Sequence, residues 1–392
     1  MELADVGVID AFCHRIPANA YAFTCCRACG MCAAVVIMAG CPGRVDAAAV
    51  REGETRGMGL AAGDADLVAR LYGLGPAIGP MLPVARGELG RVWRLPTVGG
   101  VVAVKELFLP PTEGEAAADV DFQLGARRVG VLLPSPMRRT DGRVLAVLPS
   151  GVTVRVYEWM DLRPLDDPVL DAAGQHAEGA GDSRGARRRP DEHVGAVLAR
   201  LHLMADLTAQ RPHPWFVEPV GEPAWVALLE ALDAAGAPFA ADLAELVPEL
   251  VRLEELLPCP LRGDERRCHL DLDDSNLAWD DRGRLVVLDW ENSGPASPVS
   301  ELAMVAAEYG PDRAIRLCGS YREAGGPAVI RTATDFATAV AVQGHLMEFY
   351  ARRWLSAVDP DDRSRSDWRM GQHCEAPLTH ARIADVLTAV LR

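Results

Sequence analysis

Residues 269–291 read HLDLDDSNLAWDDRGRLVVLDWE. Two short apolar runs, 277–279 and 285–288, flank Asp280-Asp281-Arg282-Gly283. Asp and Gly are turn formers, so the stretch is expected to form a strand, a tight turn and a returning strand. With the turn centred between Asp281 and Arg282, Asn276 lies across from Val287, and Asp289 is its diagonal neighbour within side-chain reach. Asp271 stands five residues before Asn276, on the loop that enters the hairpin. One small β-unit thus gathers a carboxylate, an amide oxygen and a second carboxylate. Such hard oxygen donors suit Mg2+, which takes few protein ligands and completes its shell with phosphate oxygens and water.

The spacing H-x-D-x-x-x-x-N followed by a strand-borne Asp is that of a kinase catalytic loop and its metal site. His269-Leu270-Asp271 with Asn276, then Leu288-Asp289-Trp290-Glu291 and Gly294-Pro295, resembles the aminoglycoside phosphotransferase and choline kinase family. The resemblance implies Asp271 as the catalytic base, Asn276 and Asp289 as Mg2+ ligands, and His269 as a structural brace of the loop. It spans roughly residues 65–392 and implies an α+β, two-lobed protein-kinase-like fold. Residues 58–160 would form a small N-lobe, a five-stranded antiparallel sheet with one helix. Residues 161–392 would form a larger, mostly α-helical C-lobe. Asp273 and Asp274 make the loop acidic, either to attract a cationic substrate or as solvated charge.

The pattern upstream agrees with that order. Residues 64–74 read as a helix with Asp64 as N-cap and Leu67, Val68 and Leu71 on one face. Strands follow at about 80–87, 90–97 and 100–108, the last two joined by Thr97-Val98-Gly99-Gly100. The third strand, VVAVKELF, is apolar apart from Lys105 and Glu106, and Lys105 is a cation that is costly to bury without a partner. A helix over about 112–129, capped by Thr112, precedes strands at 143–148 and 152–160. By resemblance Lys105 holds the nucleotide's α- and β-phosphates and is positioned by a helix carboxylate. Asp121 is the first candidate for that carboxylate and Glu115 the second. The backbone of Glu158 and Met160, at the end of the fifth strand, would meet adenine. The loop Gly87-Glu88-Leu89-Gly90-Arg91 has glycines but no G-x-G-x-x-G.

Farther along, residues 171–190 are rich in Gly, Ala and charge and read as a flexible insertion, with Arg187 and Arg189 solvated. A helix over 191–205 places His202 in a structural position under the catalytic loop. Helices are expected at 298–308, 311–324, 328–357 and 377–391, with Glu301-Leu302-Ala303 where the family more often has Asp-Leu-Ala. Phe349, Tyr350, Trp354 and Trp368 stand at helical spacing, which suits either core packing or an aromatic cage for a quaternary amine. The acidic residues Asp359, Asp361 and Asp362 would attract an amine or cap a surface turn.

The chain has 392 residues and a formal net charge of −15, which argues against nucleic acid or an anionic membrane as partner and is compatible with a cationic substrate. No apolar run reaches the ~20 residues of a membrane span. Six of the ten cysteines fall before residue 42, in a stretch that only superficially resembles an iron–sulfur ligand run or a lipid-attachment signal. Residues 1–57 read instead as a disordered or mis-started extension, and the scattered remaining cysteines fit a cytoplasmic protein. The function expected is ATP- and Mg2+-dependent phosphorylation of a small-molecule hydroxyl, on an aminoglycoside or another amine-bearing compound. Acceptors such as choline, homoserine or a macrolide, a non-catalytic pseudokinase, and a metal hydrolase built on His269 and Asp271 are the alternatives.

Overall fold

The computed structural model describes residues 60, 63–165, 189–257 and 262–392. The Cys-rich stretch before residue 57 and residues 171–188 of the expected insertion lie outside the described residues. The chain forms two compact units. The first holds the described residues up to 165 together with 274–292; the second holds 189–273 and 293–392. In chain order the first unit contains α1 (Asp64–Leu71), β1 (Leu82–Arg86), β2 (Gly90–Thr97), β3 (Gly100–Leu107), α2 (Glu113–Arg128), β4 (Pro136–Met137), β5 (Ala146–Val147), β6 (Thr153–Glu158) and β7 (Leu162–Pro164). The second opens with α3 (Pro190–Met204), α4 (Glu222–Ala235), α5 (Ala240–Leu253) and β8 (Arg266–Cys268). The chain then supplies β9 (Leu277–Asp280) and β10 (Leu285–Val287) to the first unit. It ends in the second with β11 (Gly294–Ala296), α6 (Pro298–Glu323), α7 (Ala337–Ser356), α8 (Pro360–Glu375) and α9 (His380–Val390).

The first unit is built on an antiparallel sheet in the order β1-β2-β3-β6-β4, with β5 also paired to β6. The sixth strand, β4, is a two-residue addition to the five expected, and the strand expected over 143–148 is reduced to β5. β2 and β3 pair from Gly90↔Leu107 to Thr97↔Gly100 and close on the two-residue turn Val98-Gly99, as the sequence indicates. Val102, Val104, Val154 and Val156 bury one sheet face against Val68, Ala69 and Tyr72. Ala116 and Val120 of α2 pack on Leu107 and Val144. Each buried valine or leucine here contributes about 1.5–3 kcal/mol by leaving water. α2 begins in a capping box, with the Thr112 hydroxyl accepting from Glu115 N and the Glu115 carboxylate accepting from Thr112 N. The cap of α1 is Gly63 rather than Asp64, which is buried as the first helical residue.

β9 and β10 form the expected hairpin, one residue out of the expected register. Leu277 faces Val287, so Asn276 stands beside Leu288, whose N–H donates to the Asn276 carbonyl at 2.9 Å. The reason is a loop one residue longer than a two-residue turn. Gly283 N donates to Asp280 O, Gly283 takes φ 69°, and Asp280 N closes on Arg284 O. This is a three-residue hairpin loop whose glycine supplies the left-handed step. The Asp280 carboxylate fixes it by accepting from the backbone N–H groups of Arg282 and Arg284.

In the second unit α3 lies tight against α6. A Cβ on Gly195 would come within 2.2 Å of Leu317 O, and Ser320 Oγ donates to Glu192 O at 2.6 Å. The helices expected on either side of residue 310 are both present, separated by Gly310 (φ 72°) and Pro311. The helix expected from 328 starts at Ala337, after a 3-10 turn over Ala333–Phe336. α4, α5 and α8 were not expected. α4 carries Trp225, Leu228 and Leu232 inward, and ends at Gly236 in the left-handed conformation, a legible stop signal.

Candidate active site

In the first unit, the site grows from β3. Lys105 projects from a mostly aliphatic strand whose other charged residue, Glu106, leaves by the opposite face and accepts from Trp93 Nε1, and it is the only lysine in the chain. Its Nζ lies 2.8 Å from Asp289 Oδ1 and 2.9 Å from Glu291 Oε2. Directly across the ladder, Lys105 pairs in register with Arg155 of β6, so both side chains leave the same face. Arg155 Nη1 is 3.5 Å from Glu291 Oε1 and 3.5 Å from Asp119 Oδ2, and Tyr157 Oη donates to Glu291 Oε1 at 3.1 Å. Burial alone would lower the Lys105 ammonium, but Asp289 and Glu291 hold it above its ordinary range. Two carboxylates share that one ammonium, and only Glu291 has Arg155 as a second cation. Burial and the Glu291 carboxylate therefore push Asp289 up to about 7 against the pull of Lys105, while Glu291 is held well below the usual carboxylate range.

The two expected helix partners of Lys105 are engaged elsewhere. Asp121 is exposed and pairs with Arg138 at 2.7 Å; Glu115 closes the capping box. The helix carboxylate that does face inward is Asp119, which is fully buried. It reaches Arg155 rather than Lys105. The sequence carried a signal for this that went unread: an arginine inside the apolar run VTVRVYEWM requires buried anionic partners.

Asn276 and Asp289 stand at the open end of the β9–β10 hairpin. Asn276 is buried, whereas the Asp289 side chain is 36% exposed and the Glu291 side chain 8%. An amide oxygen with a partly exposed carboxylate is a donor set that fits Mg2+, and Glu291 is too enclosed to join it. Asp289 has φ 52°, a left-handed backbone that Asp tolerates better than most residues.

In the second unit, β8 and β11 pair from Cys268↔Gly294 to Arg266↔Ala296 and deliver the chain into His269-Leu270-Asp271. Leu270 also has a left-handed backbone, φ 64°, a conformation costing about 1–2 kcal/mol in a leucine. A chain of hydrogen bonds holds it. The Leu270 N–H donates to Glu301 Oε1 at 2.5 Å, and Glu301 Oε2 lies 2.6 Å from His202 Nε2. His202 Nδ1 lies 2.8 Å from Tyr321 Oη, which accepts from Ala328 N at 3.2 Å. A neutral imidazole with its proton on Nε2 satisfies every link. Burial would raise Glu301, but His202 and the Leu270 N–H hold it below the ordinary value. Asp271 and His269, beside this brace, are both fully buried. His202, Cys268 and Glu301 are close enough to ligate a cation. Both imidazole nitrogens are already committed, however, and burial pushes the Cys268 thiol well up.

The model of the phosphotransferase enzyme family matches residues 81–336, from the first sheet through the brace. The chain belongs to this family. The resemblance carried by residues 269–295 is thereby borne out, as is the α+β protein-kinase-like fold, which solved structures of low identity share. Spectinomycin phosphotransferase, in complex with ADP and spectinomycin, is 10% identical, with 85% of this chain and 99% of that one covered at a TM-score of 0.58. A microcompartment-associated aminopropanol kinase is 15% identical, with 85% and 99% covered at 0.54. Amicoumacin kinase, in complex with AMP-PNP, Ca2+ and Ami, is 13% identical, with 82% and 95% covered at 0.52. None of the curated proteins compared matches the sequence.

Two further expectations concern ligand surfaces of this phosphotransferase. Glu158 closes β6 and donates its N–H to Ser135 O, so only its carbonyl is left for a base. Met160 packs with Val92 and Leu288 around buried Ala103, Ala278 and Val286, an apolar set with the character of a purine-ring wall. The aromatics of the second unit do not form an open cage. Arg353 lies over Phe349 and Tyr350, Arg363 over Trp354 and Arg369 over Trp368. Their ring faces already carry cations. Asp359 accepts from Asp361 N and caps α8, the structural alternative of the two expected for it. Among the described residues no helix is long and apolar enough to cross a membrane.

Proposed function

We propose that the protein transfers the γ-phosphate of ATP to a hydroxyl of a small molecule. The observation that carries this reading is Lys105, the single lysine, held on a mostly apolar strand by Asp289 and Glu291. A buried ammonium with a partly exposed carboxylate beside it suits a polyphosphate and its cation better than a purely structural ion pair. Val92, Met160 and Leu288 supply apolar surface for adenine, with the Glu158 carbonyl and the Met160 backbone toward its edge. Lys105 holds the α- and β-phosphates. Asn276 and Asp289 would hold Mg2+, which when bound supplies positive charge to the β- and γ-phosphate oxygens.

Asp271 orients the acceptor hydroxyl. As that oxygen bonds to the γ-phosphorus, the bond from phosphorus to the β,γ-bridging oxygen breaks, ADP leaves, and the hydroxyl proton passes to the Asp271 carboxylate. The Glu301–His202–Tyr321 chain keeps the Asp271 loop in its strained conformation, so no reorganisation is needed during reaction. The net charge of −15 favours a cationic acceptor, an aminoglycoside or a similar amine-bearing alcohol.

The test is ATP consumption with Mg2+ against a panel of aminoglycosides, amino alcohols and macrolides, run beside Asp271→Asn. Turnover with one acceptor is expected to fall about 10²–10⁴-fold in the variant, with nucleotide affinity nearly unchanged. Near-normal turnover in Asp271→Asn would remove that residue from the mechanism. Nucleotide binding without transfer to any acceptor would favour a non-catalytic module.

A further inference from the structure

Asp289 has two roles in the proposed reaction that conflict. It is the nearest anion to Lys105 at 2.8 Å, and it is also the carboxylate exposed enough to take a metal ion. If Lys105 had no other partner, cation binding to Asp289 would leave an enclosed ammonium with its charge uncompensated. The charges around it resolve the conflict. Lys105 and Arg155 face three carboxylates, Asp289, Glu291 and Asp119. Without Asp289 the set is balanced, two cations against two anions, and every member of that balanced set is at least four-fifths enclosed.

We propose that Glu291 is the positioning residue for Lys105, and that Arg155 and Asp119 hold Glu291, so that the helix carboxylate acts on the lysine only through this relay. The inference rests on the phosphotransfer reading and deepens it. Glu291 follows Asp289 by two residues on the same backbone segment, so one short stretch carries both the metal-facing and the lysine-facing carboxylate. Asp119 ends one methylene short of a glutamate, and the long Arg155 side chain spans the remaining gap. Tyr157 adds a hydrogen bond to the Glu291 oxygen that faces Arg155, and its ring lies 5.6 Å from the Arg155 guanidinium. In this arrangement a displacement of α2 loosens the relay without separating Lys105 from its own carboxylate. The geometry therefore assigns the lysine a standing partner that does not depend on the helix.

The experiment is a double-mutant cycle on binding of Mg2+·AMP-PNP by calorimetry, with full-length wild type, Lys105→Met, Glu291→Gln and the double variant, and with Asp121→Asn as the control. Glu291→Gln is expected to weaken binding roughly tenfold, the scale of coupling between contacting charges. The double variant should bind no worse than Lys105→Met alone, whereas Asp121→Asn should bind as wild type does. Losses that multiply in the double variant, or an Asp121→Asn loss as large as that of Glu291→Gln, overturn the proposal. A wild-type protein that binds no AMP-PNP overturns the phosphotransfer reading and this proposal with it, so the wild-type isotherm separates the two failures. Should Glu291→Gln not fold, the single lysine allows a second readout by mass spectrometry of Lys105 acetylation. The rate should rise in Glu291→Asp and, to a smaller degree, in Asp119→Asn. Rates equal to wild type in both overturn the relay.

Discussion

Asp289 and Leu270 are the non-glycine residues with left-handed backbones among the described residues, one in each unit, and their surroundings differ in kind. Around Asp289 the chain places an excess of anions on a largely enclosed ammonium, a set whose members have more than one possible partner. Around Leu270 it places a fully buried row of hydrogen bonds, Glu301 to His202 to Tyr321, in which each donor meets one acceptor. The first arrangement can give up a contact at little cost. The second cannot, because each broken link leaves a buried polar group unpaired. A site that binds and releases a charged ligand needs the former, and a loop that must keep one strained shape needs the latter.

The sharpest test of that contrast is Glu301→Ala. Removing the acceptor of both Leu270 N–H and His202 should cost about 2–6 kcal/mol of stability, roughly 1–3 for each N–H left unpaired, and lower turnover together, read by chemical denaturation and steady-state rates. A variant that keeps wild-type stability would end the description of this row as a brace.

A second, slightly smaller effect concerns pH. Burial, with Arg369 beside it, lowers His373 of α8 from 6.5 to about 4. The unfolded chain therefore takes up a proton that the folded chain resists, and stability should fall as pH drops from about 6.5 to 4, by roughly 3 kcal/mol in all. Denaturation midpoints across that window, compared with those of His373→Gln, check it. A variant with the same pH slope would exclude His373 as the source.

The smallest stability effect is expected at the hub. Asp289→Asn removes a partly exposed pair and should change stability by less than about 1 kcal/mol, while Mg2+-dependent nucleotide affinity is lost. A large drop in melting temperature for this variant would erase the difference between the two regions.

Much of this contrast could be read from the chain. The spacing of His269, Asp271, Asn276 and Asp289 carries the family because the whole pattern falls within one short stretch of sequence. Lys105 stands out because a cation in a mostly apolar strand needs a reason. The hairpin register was misjudged by one residue, since a two-residue and a three-residue loop share the same Asp-Gly signal and only the pairing of Asp280 with Arg284 distinguishes them. The partner of Lys105 was also misjudged. Helical periodicity gives the face a carboxylate lies on but not its distance from a strand, so the sequence does not distinguish exposed Asp121 from buried Asp119.

By itself, then, the sequence determined the fold class and the family, because these depend on local pattern and short-range spacing. Tertiary structure alone decided who pairs with whom. Asp289, Glu291 and Arg155 meet Lys105 across 184, 186 and 50 residues of chain, and Glu301 meets Leu270 across 31. Ion pairs and hydrogen bonds depend on distances of a few ångströms, and at such separations only packing sets them.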